Sequence, residues 1–164
     1  MLRTTVWVLI LGLALVFPGT SIATTLTHSA GQIEIAVPDN WKSSQEGDII
    51  KIEAPGSDMM LVFRIEEGDK ADKVFEAIDT ALESKVGSIT WDNDGNYKEV
   101  DLNGMNAYEY NGSADAGKLL IYCLWIDSPS DKSVLLYWLS DEAADSKYEK
   151  EVAAILSGIK PLKK

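Results

Sequence analysis

Cysteine and histidine are nearly absent from this 164-residue chain, with one of each, and both scarcities remove a class of chemistry. Cys123 alone cannot form an intramolecular disulfide, even in an oxidising compartment. With no His/Cys cluster there is no zinc site of the usual kind. A hydrolase of the Ser-His-Asp or Cys-His type would have to use His28, which sits in a polar lead-in where geometry is poorly held. Neither a Gly-x-Ser-x-Gly elbow nor a glycine-rich phosphate loop occurs. Cations are also scarce: 15 Lys and Arg face 26 Asp and Glu, a formal charge of −11. Such a surface repels phosphate backbones and anionic headgroups, so nucleic acid is not an expected partner. There is no repeat, no low-complexity tract and no apolar run of the roughly 18 residues that a membrane span requires.

The longest apolar run, Val6 to Phe17, has 12 residues and a different meaning. It follows one cation, Arg3, and precedes the helix-breaking Pro18-Gly19 and the small residues of Ser21-Ile22-Ala23. That order predicts a signal peptide over residues 1–23, cleaved after Ala23, and hence an exported protein, periplasmic or extracellular. Cleavage leaves 164 − 23 = 141 residues with a charge of 14 − 26 = −12, a size that suits one domain. Such a chain buries roughly two-thirds of its unfolded surface and needs no metal or disulfide to fold. No Cys stands at the cleavage site to carry a lipid, so no stable membrane anchor is expected after cleavage.

Patterning then divides the mature chain. Residues 24–31 read as a polar lead-in and 32–164 as the domain. Ile33, Ile35 and Val37 alternate with polar residues, which predicts a half-buried strand ended at Pro38-Asp39-Asn40. Strands follow over 48–53 and 59–66, around Pro55-Gly56-Ser57-Asp58. From Asp69 to Val86 the period changes: Val74, Ile78, Leu82 and Val86 predict an amphipathic helix with Asp69 as N-cap and Gly87 as stop. Asn103-Gly104 predicts a type I′ hairpin between 97–102 and 105–110. Strands over 118–127 and 132–140 are apolar on both faces, and a last helix runs from about Asp141 to Ile159, ended by Pro161. A strand buried on both sides needs cover on both sides, and the two helices are the available covers. The expected fold is therefore α+β: a mostly antiparallel sheet with helices packed on both faces, a three-layer α/β/α sandwich.

With that element order, the chain resembles the PsbP-like family and its DcrB-like exported bacterial members. The resemblance is carried by Ile35-Ala36-Val37-Pro38-Asp39-Asn40-Trp41, by Leu102-Asn103-Gly104-Met105-Asn106-Ala107-Tyr108-Glu109-Tyr110, and by Tyr148-Glu149-Lys150 with Ile155-Leu156-Ser157-Gly158-Ile159-Lys160-Pro161. These segments turn the chain and pack it, so no functional residue is carried over. The resemblance implies non-enzymatic roles in assembling or stabilising partner complexes, with no cofactor. Many bacterial members are lipoproteins, and this chain lacks the lipid-bearing Cys.

Few residues remain as site candidates. Cys123, inside Leu-Leu-Ile-Tyr-Cys-Leu-Trp-Ile, reads as core, because a reactive thiolate needs exposure and nearby cations. Trp41 and Trp91 lie beside turns and are candidates for the rim of an interaction face. Asp92, Asp94 and Asn96 place side-chain oxygens at alternate positions of Asp92-Asn93-Asp94-Gly95-Asn96, a candidate calcium contact. The loop departs from an EF-hand, which needs Gly and Glu where Tyr97 and Asn103 stand. The expected function is thus an exported, non-catalytic domain that binds another exported or envelope protein. The alternative is a small-ligand or cation-binding module.

Overall fold

The computed structural model describes residues 23–66 and 71–163. In chain order the strands are β1 (Ala23–His28), β2 (Ile33–Pro38), β3 (Lys42–Glu46), β4 (Ile49–Glu53) and β5 (Met60–Glu66). After helix α1 (Ala71–Val86) come β6 (Ile89–Trp91), β7 (Lys98–Leu102), β8 (Met105–Ala114), β9 (Leu119–Asp127) and β10 (Ser133–Ser140). Helix α2 (Glu142–Ser157) and β11 (Lys160–Pro161) complete the order. Eight strands form one sheet in the order β3-β4-β5-β10-β9-β8-β6, with β7 also paired to β8. Strands β1-β2-β11 form a second, smaller sheet, and every pairing in both is antiparallel.

Alternation along β9 and β10 decides what packs where. Tyr122, Leu124 and Ile126 join Val134, Leu136 and Trp138 in a core with Ala144, Tyr148, Val152 and Ile155 of α2 and with Ile33, Ile35 and Val37 of β2. The intervening Ile121, Cys123, Trp125 and Leu135 join Val74 and Phe75 of α1, with Ile78, Leu82 and Val86 half-buried beside them. The double apolar pattern of these strands thus records two separate clusters of buried residues, one with α2 and one with α1.

The local signals act as their chemistry requires. Asp141 caps α2, its carboxylate accepting from the Ala144 N–H at 2.7 Å. Gly87 stops α1 with φ +80°, its N–H donating to the Glu83 carbonyl. Asn103 (φ 54°) and Gly104 (φ 85°) close the β7–β8 hairpin as a two-residue turn with both residues left-handed. The Asn103 amide does a second job, donating to the carbonyls of Ser157 and Ile159 at 3.1 and 2.6 Å and so tying the hairpin to the end of α2.

Three expectations are corrected. The segment 24–31 is not a loose lead-in: residues 23–28 form β1, paired along its length with β2. His28 is 1% exposed, with Nε2 against the Asp48 carbonyl at 2.9 Å and Nδ1 accepting from the Gly31 N–H at 3.1 Å. The Gly31 donor fixes Nδ1 as the acceptor, so the proton sits on Nε2 and the ring serves as a bridge between two backbone segments. Nor does Pro161 end the last helix. Gly158 ends it, and Lys160-Pro161 extends the small sheet along β2. Residues 1–22, the body of the expected signal peptide, and the expected cap Asp69 lie outside the described residues.

Candidate surface on the α1 side of the sheet

The two tryptophans chosen from the sequence do not share a face. Trp41, 5% exposed, is packed in the α2-side core, edge-on to Tyr148 at 5.4 Å. A side chain so enclosed cannot rim an accessible surface, and Trp41 is corrected to a core residue. Trp91 belongs to the α1 side. Its Nε1 donates to Asp79 of α1 at 2.7 Å, and its ring stacks on Tyr110 at 4.1 Å. The ring reaches that position because its cross-strand partner is Gly112. A Cβ there would lie 2.7 Å from the Trp91 ring and 2.9 Å from the Thr90 carbonyl.

From Trp91 an aromatic series runs across the sheet. Phe75 of α1 lies 4.7 Å from Tyr110 and 6.0 Å from Tyr97, and Tyr97 meets Tyr108 edge-on at 5.3 Å. Of these rings Trp91, Tyr97 and Tyr108 are half-buried, as are Tyr137 and Leu139 on β10. These half-buried side chains border the α1-side cluster and are only partly covered. The rim is acidic. Asp127 accepts from the Trp125 Nε1 at 3.1 Å and from the Tyr108 hydroxyl at 3.5 Å. Its charge is the main reason the Tyr108 hydroxyl is held above the ordinary tyrosine range, followed by burial and by Glu99, which stands opposite Tyr108. Burial, then the Asp79 charge, raises Tyr110 likewise. A shallow cleft of about 300 Å³ runs beside this series along the β7–β8 pair, lined by Glu99, Val100, Asp101, Asn106, Ala107 and Tyr108.

The calcium candidates fold into a tight turn. Asn93, Asp94 and Gly95 are all left-handed, and the turn closes through Gly95 N–H to the Asp92 carbonyl and Asn96 N–H to the Asn93 carbonyl, both 3.0 Å. The Asn96 amide nitrogen donates to the same Asn93 carbonyl, and the carboxylates of Asp92 and Asp94 lie on exposed residues. Among the described residues no three His, Cys, Asp or Glu side chains gather around a common point. Cys123 is buried and its thiol is pushed up to about 12 by that burial, the state of a packing residue.

The α2 side holds half-buried ionisable groups that sequence reasoning did not single out. Asp145 accepts from the buried Ser140 hydroxyl at 3.3 Å, and burial raises its carboxyl despite opposing hydrogen bonds from Tyr122 and Ser140. Burial also raises Glu109, with Lys98 across the strand pair drawing it back. Tyr122, stacked on Trp138 at 4.6 Å, is raised by burial and then by the Asp145 charge. Tyr122 and Asp145 meet only through the strand register and the placement of α2, which no spacing in the sequence announces.

No family model and no curated protein matches the chain by sequence. Solved structures resemble it in fold. Cyanobacterial PsbP (CyanoP) from Synechocystis sp. PCC 6803 is similar over 92% of this chain and 98% of its own, at 12% identity and a TM-score of 0.63. LpqN, described as involved in cell envelope biogenesis of Mycobacterium tuberculosis, is similar over 84% of this chain and 88% of its own, at 17% identity and a TM-score of 0.59. The chain therefore has the PsbP-like fold, built on a mostly antiparallel sheet. Among the described residues no helix is long and apolar enough to cross a membrane.

Proposed function

We propose that this chain is an exported accessory protein of PsbP-like fold that works without turnover, by binding another exported or envelope protein. In this reading the helices cover opposite faces of the sheet as the outer layers of an α/β/α sandwich, and the α1 side is the recognition face. One observation carries the proposal: half-buried Trp91, Tyr97 and Tyr108 run in series across that face beside Asp79, Glu99 and Asp127. Aromatic faces and carboxylates together suit a partner presenting Lys or Arg, whose cations stack on the rings while pairing with the acids. The envelope role described for LpqN agrees with this reading. The signal-like residues 1–23 supply the route out of the cytoplasm.

The test is affinity capture by the tagged 24–164 protein from a native envelope extract, followed by mass spectrometry. A reproducible stoichiometric partner released by moderate salt is the expected result. A folded protein that captures nothing contradicts it, and a calcium-induced rise in Tm would then favour the cation-binding alternative, because a ligand specific to the native state must raise stability.

A further inference from the structure

Among the described residues, strand β3 ends the eight-stranded sheet, paired with β4 on one side and with no strand on the other, and all five of its residues are exposed. Which of its backbone groups face outward follows from the register. The Ala54 N–H donates to the Met59 carbonyl at 2.9 Å, so Ala54, Ile52 and Ile50 direct their backbone groups toward β5. Ile49, Lys51 and Glu53 then point toward β3, where their partners are Glu46, Ser44 and Lys42. That leaves Ser43 and Gln45 with N–H and C=O directed away from the sheet.

We propose that a second copy of this chain pairs with this edge, β3 against β3 about a two-fold axis through Ser44. The sequence of the strand, Lys42-Ser43-Ser44-Gln45-Glu46, is complementary to itself when laid antiparallel. Ser43 of one copy lies opposite Gln45 of the other, the pairs whose free backbone groups exchange hydrogen bonds, four in all by that geometry. Ser44 meets Ser44, and Lys42 meets Glu46 twice, at the non-hydrogen-bonded positions where opposed side chains come closest and opposite charges stabilise. Each Lys42, already opposite its own Glu53, then lies between two carboxylates. Such an interface is isologous and closes at two copies. It is also small, below the roughly 1,200 Å² of a standard interface, and its charge pairs are exposed, so the dimer is weak.

This inference stands on β3 alone and is independent of the α1-side reading. Sedimentation or light scattering of the 24–164 protein, from about 10 µM to about 1 mM, should show a mass rising from one chain toward two. Lys42→Glu sets Glu against Glu46 of the other copy and should hold the protein monomeric over the same range. Lys42→Glu/Glu46→Lys should recover association. Ser43→Pro removes an outward N–H without touching the β4 ladder and should also abolish it, with circular dichroism unchanged. A wild-type protein that is monomeric throughout overturns the proposal, including the case where the edge takes a strand from another protein. A dimer indifferent to Lys42→Glu overturns it as well.

Discussion

The two buried clusters of the molecule, one packed with α2 and one with α1, are held very differently. Beneath α2 the core is deep, and polar ties lock its margins. Asn103 holds the Ser157 and Ile159 carbonyls, Tyr148 accepts from the Gly56 N–H at 3.2 Å, and Lys147 pairs with Asp58 at 2.9 Å. The smaller sheet joins in, the Ala36 N–H donating to the Gly158 carbonyl. Beneath α1 the buried set is smaller, half-buried aromatics border it, and Trp91 donates to Asp79 as a polar tie from sheet to helix among the described residues. The α2-side cluster is therefore the larger and the more tightly tied, and the α1-side cluster the smaller, with more of its bordering side chains half-buried.

Unequal truncation costs would sharpen that contrast most. Ile155→Ala, at a fully buried site of α2, should cost about 2–5 kcal/mol in denaturant unfolding, whereas Leu82→Ala on α1, half-buried, should cost less than half as much. Next comes Gly112→Ala. Its methyl must displace the Trp91 ring, so about 1–3 kcal/mol should be lost together with a shift in tryptophan fluorescence. Asn103→Gly keeps the left-handed turn and removes only the amide bonds to the end of α2. It should cost about 1–2 kcal/mol, with faster hydrogen exchange confined to 157–162.

The smallest effect concerns Asp145. Burial raises its folded carboxyl above the usual 3.8, so its ionisation opposes folding. Its contribution favours the fold below the usual carboxylate range and is lost as pH rises through the raised folded value. Asp145→Asn should therefore have a slightly higher Tm than wild type at pH 7, with the difference closing below about pH 3.8.

Much of this architecture was legible in the sequence because it rests on local signals. The period switch at α1, the Asn103-Gly104 turn and the double apolar pattern of β9 and β10 each state their own geometry. What the sequence hid was non-local. Thr24, Thr25 and Thr27 look like a solvated lead-in because β1 is a polar edge strand whose order comes from β2, and His28 looks loose because its partners are the backbones of Gly31 and Asp48. Trp41 and Trp91 both flank turns, and only the fold shows that they belong to different faces. The aromatic series was invisible for the same reason: Tyr97, Tyr108, Tyr110 and Phe75 meet through strand register and helix placement.

The most direct test of the account compares surface changes on the two sides. Tyr97→Ala/Glu99→Lys alters the α1-side surface, and Glu142→Lys/Glu149→Lys alters the exposed side of α2. Each is used in envelope capture beside wild type, after thermal melts confirm folding. Loss of the captured partner by the first variant and its retention by the second is the predicted result. Retention by the first, or loss by the second alone, would contradict the assignment of recognition to the α1 side.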